Sequence, residues 1–270
     1  MRLAFYTYSY TDRLAMPLEP ALGRIAAAGY DGIDISGTHG PSANPRSVTP
    51  ELRARTRSIT EGLGLTIEAV ITHANLADSL FTAEPLDLKG SVDLAADVGA
   101  PLVVFHMGGP KDDAARRAEA WRRVTACLQD ALAYAEPRNV RLAVDGVWAG
   151  WLTDTPERFL ELHDEVGSAS FGVNFDPCYL TLLGLDPVAV AHQWQGCILH
   201  AHLKDHIGTY PDYDHKIPGQ GSLDFPRIVR GLRDIGFAEA LAIETFVTMD
   251  FDESCAAGYA ALAPAMGRDP

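Results

Sequence analysis

The sequence predicts an α/β protein of one domain, residues 1–270, folded as a single (β/α)8 TIM barrel in which helices surround eight parallel strands. Short β-rich runs alternate with longer helical runs from one end of the chain to the other. Eight such units in this length fit a closed barrel better than an open doubly wound sheet, which is the alternative. No Pro/Gly/Ser-rich or charged linker divides the chain, which favours one domain.

The predicted strands are short runs dominated by aliphatic and β-branched residues. In chain order they are Leu3–Tyr8, Gly32–Ser36, Thr66–His73, Leu102–Met107, Arg141–Asp145, Gly172–Asp176, Ile198–Lys204 and Leu241–Phe246. The turn after the first strand lacks the G-x-G-x-x-G pattern, so a dinucleotide-binding fold has no support.

The segments between the strands show the spacing of amphipathic helices. In Ala114–Ala135 apolar residues recur every three or four positions, which turns one face of the helix inward. The same pattern predicts a helix over Phe225–Ile235, and Gly236 is placed to end it. Gly29 and Gly99 lie just ahead of strands and are expected to end the preceding helices.

The charge balance excludes some classes of partner. The chain has 22 Lys and Arg against 36 Asp and Glu, for a net charge of −14, so its average field repels phosphate backbones and nucleic acid is not expected to bind. Arg116, Arg117, Arg122 and Arg123 fall within a predicted helix of mixed charge and are expected to form a solvated face.

Cysteine usage and the chain start indicate the compartment. The four cysteines are far apart and form no C-x-x-C pair, so neither a disulfide framework nor a zinc knuckle is expected. No signal-peptide pattern and no apolar run of membrane-spanning length occurs. A cytoplasmic protein with no membrane partner is predicted, and a homo-oligomer is compatible with the sequence.

Acidic and imidazole side chains mark the ends of seven of the eight predicted strands. They are Asp34, His73, His106, Asp145, Asp176, His202 and Glu244. In a TIM barrel the carboxyl ends of the strands form the active-site mouth. One such residue is most often a helix cap or a hydrogen-bonded core residue, but ligand types on the last four strands in succession favour a metal site.

The last four of these residues predict one divalent metal ion. Asp145, Asp176, His202 and Glu244 form a hard, oxygen-rich set, for which Mn²⁺ is the first candidate and Mg²⁺, Co²⁺ and Zn²⁺ are alternatives. Such a set leaves coordination positions free for the hydroxyl and carbonyl of a substrate.

Five motifs carry a resemblance to a known superfamily. They are Gly29-Tyr30-Asp31-Gly32-Ile33-Asp34, Asn174-Phe175-Asp176-Pro177, His200-Ala201-His202-Leu203-Lys204-Asp205, Pro218-Gly219-Gln220-Gly221 with Leu223-Asp224-Phe225, and Ala242-Ile243-Glu244-Thr245-Phe246. Over nearly its whole length the chain resembles the xylose isomerase-like TIM barrels, in the branch of sugar phosphate isomerases and epimerases. The motifs are specific for the superfamily and weak for the substrate.

The resemblance assigns roles to the predicted ligands. Asp176, His202 and Glu244 match metal-ligand positions, and Glu244 also matches an acid/base position. Asp145 stands where members commonly have Glu, one methylene longer, so its reach to a substrate carbon is reduced. Tyr179 stands where many members have a His that holds a substrate oxygen, and a phenol is a poor base near neutral pH.

Further residues are candidates for substrate binding. By the resemblance, His73 and His106 match frequent substrate-binding positions, and Lys204 matches a lysine that would orient a substrate oxyanion. The alternative for Lys204 is an ion-pair partner at the rim of the barrel. Trp148 and Trp151, together with the alternating Tyr6, Tyr8 and Tyr10, offer a stacking wall for a sugar ring, with packing in the core as the alternative.

Together these residues predict a metal-dependent isomerase or epimerase of a small ketose, keto-sugar or polyol-derived substrate. Glu244 removes a proton beside a carbonyl to form a metal-stabilised enediolate, and Asp145 or a histidine acts from the opposite face. The main alternative is a lyase that dehydrates an inosose or dehydroshikimate or cleaves a 3-keto-glycoside. An abasic-site endonuclease and a non-catalytic sugar-binding barrel are the remaining alternatives.

Overall fold

The computed structural model describes residues 1–7, 18–36, 45, 48–110, 113–246 and 249–269. Its strands are β1 (Arg2–Tyr6), β2 (Gly32–Ser36), β3 (Thr66–Asn75), β4 (Leu102–His106), β5 (Arg141–Asp145), β6 (Phe171–Phe175), β7 (Ile198–Leu203), β8 (Asp205–Thr209), β9 (Asp212–Lys216) and β10 (Ala240–Ile243). The α-helices are α1 (Leu18–Ala27), α2 (Pro50–Gly62), α3 (Leu76–Ser79), α4 (Leu88–Val98), α5 (Ala114–Ala135), α6 (Pro156–Val166), α7 (Pro177–Leu182), α8 (Pro187–Gln193), α9 (Phe225–Asp234) and α10 (Phe251–Leu262).

Eight of the strands close into a parallel barrel, in the order β1-β10-β7-β6-β5-β4-β3-β2. Each strand lies beside its sequence neighbour in the barrel, so the chain goes once around the axis with helices outside. The predicted (β/α)8 barrel is therefore confirmed. Strands β10 and β4 are four places apart in either direction, which puts them on opposite sides of the barrel.

The apolar core has two parts. The larger one lies between the strands and the helices and includes Leu3, Phe5 and Ile33. The smaller one includes Ala69, Val104 and Ala143, which alternate with the outward-facing residues of β3, β4 and β5 and fill the barrel interior. Toward the carboxyl ends this interior becomes polar, because the next residue on the same face of β5 is Asp145.

Most predicted elements lie within a few residues of their observed bounds. The helix Ala114–Ala135 is observed as predicted, and Gly99 ends α4 with a φ of 84°, a left-handed conformation that favours glycine. Asp176, Lys204 and Glu244, which were predicted inside strands, instead follow β6, β7 and β10 directly.

The antiparallel hairpin β8–β9 was not predicted. It pairs Asp205 with Lys216 and Thr209 with Asp212, and it projects from the mouth directly after β7. The segment gave no strand signal because its apolar and polar residues do not alternate consistently. None of the described helices has the length and apolarity that a membrane crossing requires.

Candidate metal and substrate site

Three side chains from one strand line the mouth. His200 and His202 occupy alternate positions of β7, and Lys204 follows at the same spacing, so all three point into the barrel. All three are almost completely buried. The register places His202 beside Ala242 of β10, so that Lys204 and Glu244 emerge side by side from neighbouring strands.

Lys204 joins two of the predicted metal ligands. Its Nζ donates to Asp176 Oδ2 and, at 2.5 Å, to Glu244 Oε2. The ring of Tyr179 packs over the ammonium, with its centroid 4.0 Å from Nζ. The other oxygen of Asp176 accepts the backbone N–H groups of Cys178 and Tyr179 at the start of α7, so this carboxylate is held on both sides.

His202 uses its two ring nitrogens differently. Nε2 donates to Asp34 Oδ2 at 3.1 Å, and His200 Nε2 donates to the same oxygen at 2.8 Å. Nδ1 is buried and has no hydrogen-bonding partner among the described residues. It lies 3.5 Å from Glu244 Oε2 and 3.9 Å from Asp145 Oδ1. One nitrogen is thus anchored, and the other faces two carboxylates.

Asp145 is held by two neighbouring strands. Its Oδ1 accepts a hydrogen bond from Asn174 Nδ2 at 2.5 Å, and its Oδ2 lies 3.2 Å from His106 Nε2. Asn174 is paired with Asp145 in the register of β5 and β6. The carboxylate therefore faces His202 with one oxygen and His106 with the other.

The charged groups shift one another's pKa values. Burial raises the pKa of Asp176 to about 6, with Lys204 opposing the rise and the charges of Glu244 and Asp145 adding to it. Burial would raise the pKa of Glu244, but the positive charges of Lys204 and His202 and the hydrogen bond from Lys204 outweigh it and hold that pKa well below its usual value. Burial would likewise raise the pKa of Asp145. The hydrogen bond and charge of His106 and the charge of His202 outweigh this effect and hold the pKa below its usual value.

The histidine and the lysine shift in the opposite direction. Burial lowers the pKa of His202, but its hydrogen bond to Asp34 and the nearby negative charges of Glu244 and Asp34 raise it to about 10. The pKa of Lys204 also lies well above its usual value, because the charges of Asp176 and Glu244 overcome the effect of burial. Without a metal ion, two cations thus balance the carboxylates of the mouth.

These residues fit a divalent metal ion. The unpaired Nδ1 of His202 faces carboxylates at distances suited to sharing one cation, and Asp34 orients the ring through the other nitrogen, as second partners of ligating histidines commonly do. Asp34, His200 and His202 also offer atoms within 4.8 Å of one another that could hold an ion. An ion on His202 Nδ1, near Glu244 and Asp145, fits the site better than an ion among Asp34, His200 and His202. The Nε2 atoms of both histidines are already hydrogen-bonded to Asp34.

The predicted substrate-binding histidines lie across the mouth from Lys204. The Tyr6 hydroxyl hydrogen-bonds to His73 Nε2, and the Tyr6 ring stacks on His202 at 5.3 Å between centroids. His73 contacts His106 edge to face, and the Trp151 ring also packs against His106, at 5.6 Å between centroids. His106 is thus held beside Asp145, and His73 lies next to His106.

Trp148 and Tyr179 form an aromatic wall with the unpredicted hairpin. The Trp148 ring lies 4.7 Å from Tyr179, 5.4 Å from Tyr210 and 6.2 Å from Tyr213. Of the predicted alternation in strand one, only Tyr6 is described, since Tyr8 and Tyr10 lie outside the described residues. The wall is therefore built from the loop after β5, from α7 and from the hairpin.

Arg117 supports this loop from α5. Its guanidinium donates to the carbonyl oxygens of Gly150 and Trp151 and contacts Asp154. The prediction of a solvated face was wrong for this arginine, because its partners follow β5 and could not be identified from helical spacing alone.

The family motif ending in Asp205 has a structural explanation. The buried carboxylate of Asp205 accepts backbone N–H groups from His206, Gly219, Gly221 and Leu223. It therefore ties the loop of residues 218–221 to the end of β7, next to His202 and Lys204. This loop contains a turn.

Comparison with known proteins identifies the family. A family model described as a xylose isomerase-like TIM barrel matches residues 22–261. The chain belongs to the xylose isomerase-like TIM barrel family. The resemblance found in the five motifs is thereby confirmed, and its members provide the context for the site.

Two of the relatives are named as epimerases. A 2-epi-5-epi-valiolone 7-phosphate 2-epimerase of Actinoplanes sp. is 28% identical, over 72% of this chain and 70% of its own length. A D-psicose 3-epimerase of Enterocloster bolteae is 22% identical, over 92% of this chain and 83% of its own. The relatives thus include sugar epimerases, at low identity.

Solved structures share the fold. A D-psicose 3-epimerase crystallised with D-fructose has a TM-score of 0.82 at 14% identity, covering 99% of this chain and all of that one. The IolI protein with a bound zinc atom has a TM-score of 0.80 at 17% identity, covering 99% and 98%. The probable 3-DHS dehydratase AsbF of Bacillus anthracis has a TM-score of 0.76 at 19% identity, covering 97% and 98%.

The structure brings the predicted ligands to one end of the barrel, together with Asp34, which was predicted at a strand end without a role, and with Asn174 and His200, which were not predicted site residues. Asp145, Asp176, His202, Lys204 and Glu244 form one network. Asp34, Asn174 and His200 also belong to it through direct hydrogen bonds. Their signal was available in the sequence, because Asn174 and His200 stand two residues before Asp176 and His202 and so share a strand face.

Proposed function

We propose that the protein is a divalent-metal-dependent epimerase or isomerase of a ketose or keto-sugar. The main support for this proposal is the buried Nδ1 of His202, which has no hydrogen-bonding partner among the described residues and lies 3.5 Å from Glu244 and 3.9 Å from Asp145. Asp145, Asp176, His202 and Glu244 would hold the ion, with Mn²⁺ as the first candidate. When bound, the ion would polarise a substrate carbonyl and its neighbouring hydroxyl.

The residues around this position would perform the proton transfer. The Glu244 side chain is 14% exposed, more than the buried ligands beside it, so its carboxylate can reach a substrate at the mouth. Its lowered pKa keeps it ionised near neutral pH, as a base requires. Lys204 lies within hydrogen-bonding distance of Glu244 and would stabilise negative charge that develops on a substrate oxygen.

The test is proton exchange at carbon. Protein loaded with Mn²⁺ is incubated in D2O with D-psicose, D-fructose, L-ribulose or an inosose, and NMR follows the hydrogen beside the carbonyl. We expect one deuteron to enter the sugar, together with formation of the epimer or isomer. The absence of exchange with every one of these sugars would contradict the proposed function.

One observation favours a lyase as the second candidate. The Tyr179 ring lies over the Lys204 ammonium at the mouth, 4.0 Å from Nζ, and a phenol is protonated near neutral pH, so this group would be able to donate a proton to a departing hydroxyl. The test is incubation with an inosose or with dehydroshikimate. A conjugated product with new ultraviolet absorbance, formed without deuterium in recovered substrate, would favour elimination over epimerisation.

A further inference from the structure

Asp145 is poorly placed to be the second acid/base group itself. Both of its oxygens have polar neighbours, Asn174 on Oδ1 and His106 on Oδ2, and its side chain is only 5% exposed. Its Oδ1 also lies 3.9 Å from His202 Nδ1, the nitrogen that faces the proposed metal position. Inversion at a carbon requires two groups on opposite faces, so a second group has to reach the substrate from the side away from Glu244.

His106 has the features that Asp145 lacks. Its side chain is 22% exposed, and its Nε2 faces the buried Asp145 carboxylate at 3.2 Å. No described residue hydrogen-bonds to its Nδ1. Trp151 and His73 both pack against the ring and, with Asp145, hold its orientation. An imidazole anchored on a carboxylate through one nitrogen, with the other open, is the arrangement of an oriented acid/base group.

The barrel topology places His106 opposite Glu244. His106 ends β4, and Glu244 directly follows β10. These strands are four places apart whichever way the barrel is followed, which is the largest separation that eight strands allow. A substrate at the centre of the mouth would therefore present one face to each residue.

We propose that His106 is the second acid/base group of the enzyme and that Asp145 is its positioning residue. The inference rests on the function proposed above. Glu244 takes the proton from one face of the carbon beside the carbonyl, and the electron pair of the broken C–H bond enters the enediolate. His106 in its protonated form then delivers its proton to the opposite face, and both groups return to their starting states by exchange with water.

The test separates the two faces of the carbon. The Mn²⁺-loaded wild-type protein and His106→Asn are incubated in D2O with each epimer of the sugar that exchanges. Wild type should invert both epimers. His106→Asn should exchange only the epimer whose hydrogen faces Glu244, without inversion, and inversion should fall about 10³-fold. Added imidazole should restore part of the inversion in His106→Ala.

The control is His192→Asn, which changes an exposed histidine at the end of α8 and should behave as wild type. Inversion of both epimers by His106→Asn at the wild-type rate would overturn the role of His106 and leave the proposed function intact. Equal loss of exchange on both faces, with no rescue by imidazole, would also overturn it. A wild type that exchanges none of the sugars would overturn both proposals.

Asp145→Asn tests the positioning role. We expect this variant to lose exchange at the His106 face more than at the Glu244 face, because the imidazole keeps its place but loses its charged acceptor. Equal losses on both faces, accompanied by loss of bound Mn²⁺, would assign Asp145 to the metal ion alone.

Discussion

The two ends of the barrel both carry charges, but they arrange them differently. At the amino-terminal end, Arg2 pairs with Glu68 at 2.7 Å and Arg141 with Glu239 at 3.3 Å, and both arginines remain partly exposed. At the carboxyl end, Lys204 and His202 are buried among carboxylates. Three buried polar atoms there, on Asp34, Asn174 and His202, have no hydrogen-bonding partner among the described residues.

This difference separates stability from function. At the amino-terminal end each of these two arginines has a carboxylate partner, and the ion pairs connect neighbouring parts of the barrel. Unpaired polar atoms inside a protein cost stability, of the order of 1–3 kcal/mol each, so a site that retains them is organised for something besides folding. Variants at the two ends of the barrel test this division.

Glu244→Gln should nearly abolish turnover. The amide keeps the size of the side chain but cannot accept a proton, and the loss of a general base lowers rates by about 10²–10⁴-fold. The measurement is the rate of deuterium exchange per bound Mn²⁺, with thermal unfolding as a check of the fold. Retained exchange at the wild-type rate would place the base elsewhere in the mouth.

Lys204→Met should lower the stability of the metal-free protein. Removal of the ammonium leaves Asp176 and Glu244 unbalanced, and we expect a loss of about 3 kcal/mol in the free energy of unfolding. Urea unfolding in the presence of a chelator measures it. Because the ion would no longer compete with this cation, Mn²⁺ affinity should rise by about tenfold.

The matched control is Lys216→Met in β9. This lysine pairs with Asp214 at 2.6 Å on a largely exposed surface, where such pairs contribute about 0–1 kcal/mol. Equal destabilisation by both lysine variants would contradict the view that Lys204 balances the charge of the site.

Metal binding should release a proton from His202. The pKa of His202 is about 10 in the metal-free protein, above the ordinary value of 6.5, so its charge stabilises the fold below about pH 6.5 and this contribution is lost as pH rises through 10. An ion on Nδ1 replaces that proton, so affinity should rise about tenfold per pH unit near neutrality. Calorimetry at pH 7 in two buffers of different ionisation enthalpy counts the proton, and His202→Gln should release none.

Arg2→Met should have the smallest effect, and only on stability. Arg2 is 43% exposed, so the loss of its pair with Glu68 is expected to cost about 1 kcal/mol, measured by urea unfolding. Exchange of sugar hydrogens should be unchanged. A fall in turnover without a fall in stability would show that the two ends of the barrel are coupled.

Sequence patterns predicted the barrel well, because strand and helix periods reflect which face of each element is buried. They also located Asp176, His202 and Glu244 at strand ends. They did not reveal that Lys204 would join two predicted ligands, since the direction of a long side chain depends on the neighbouring strand. The position of His106 on Asp145 was equally inaccessible, because that contact joins residues 39 apart in sequence.

The hydrogen bonds from backbone N–H groups to Asp205 separate the hairpin from the barrel that carries it. The hairpin leaves the barrel at Asp205 and returns at Lys216, its register partner, and the carboxylate of Asp205 then secures the loop that follows. Insertions or deletions between these points would leave β7 and its ligands in place while replacing Tyr210 and Tyr213. The hairpin part of the aromatic wall could therefore be replaced, in evolution or by design, without a change in the barrel itself.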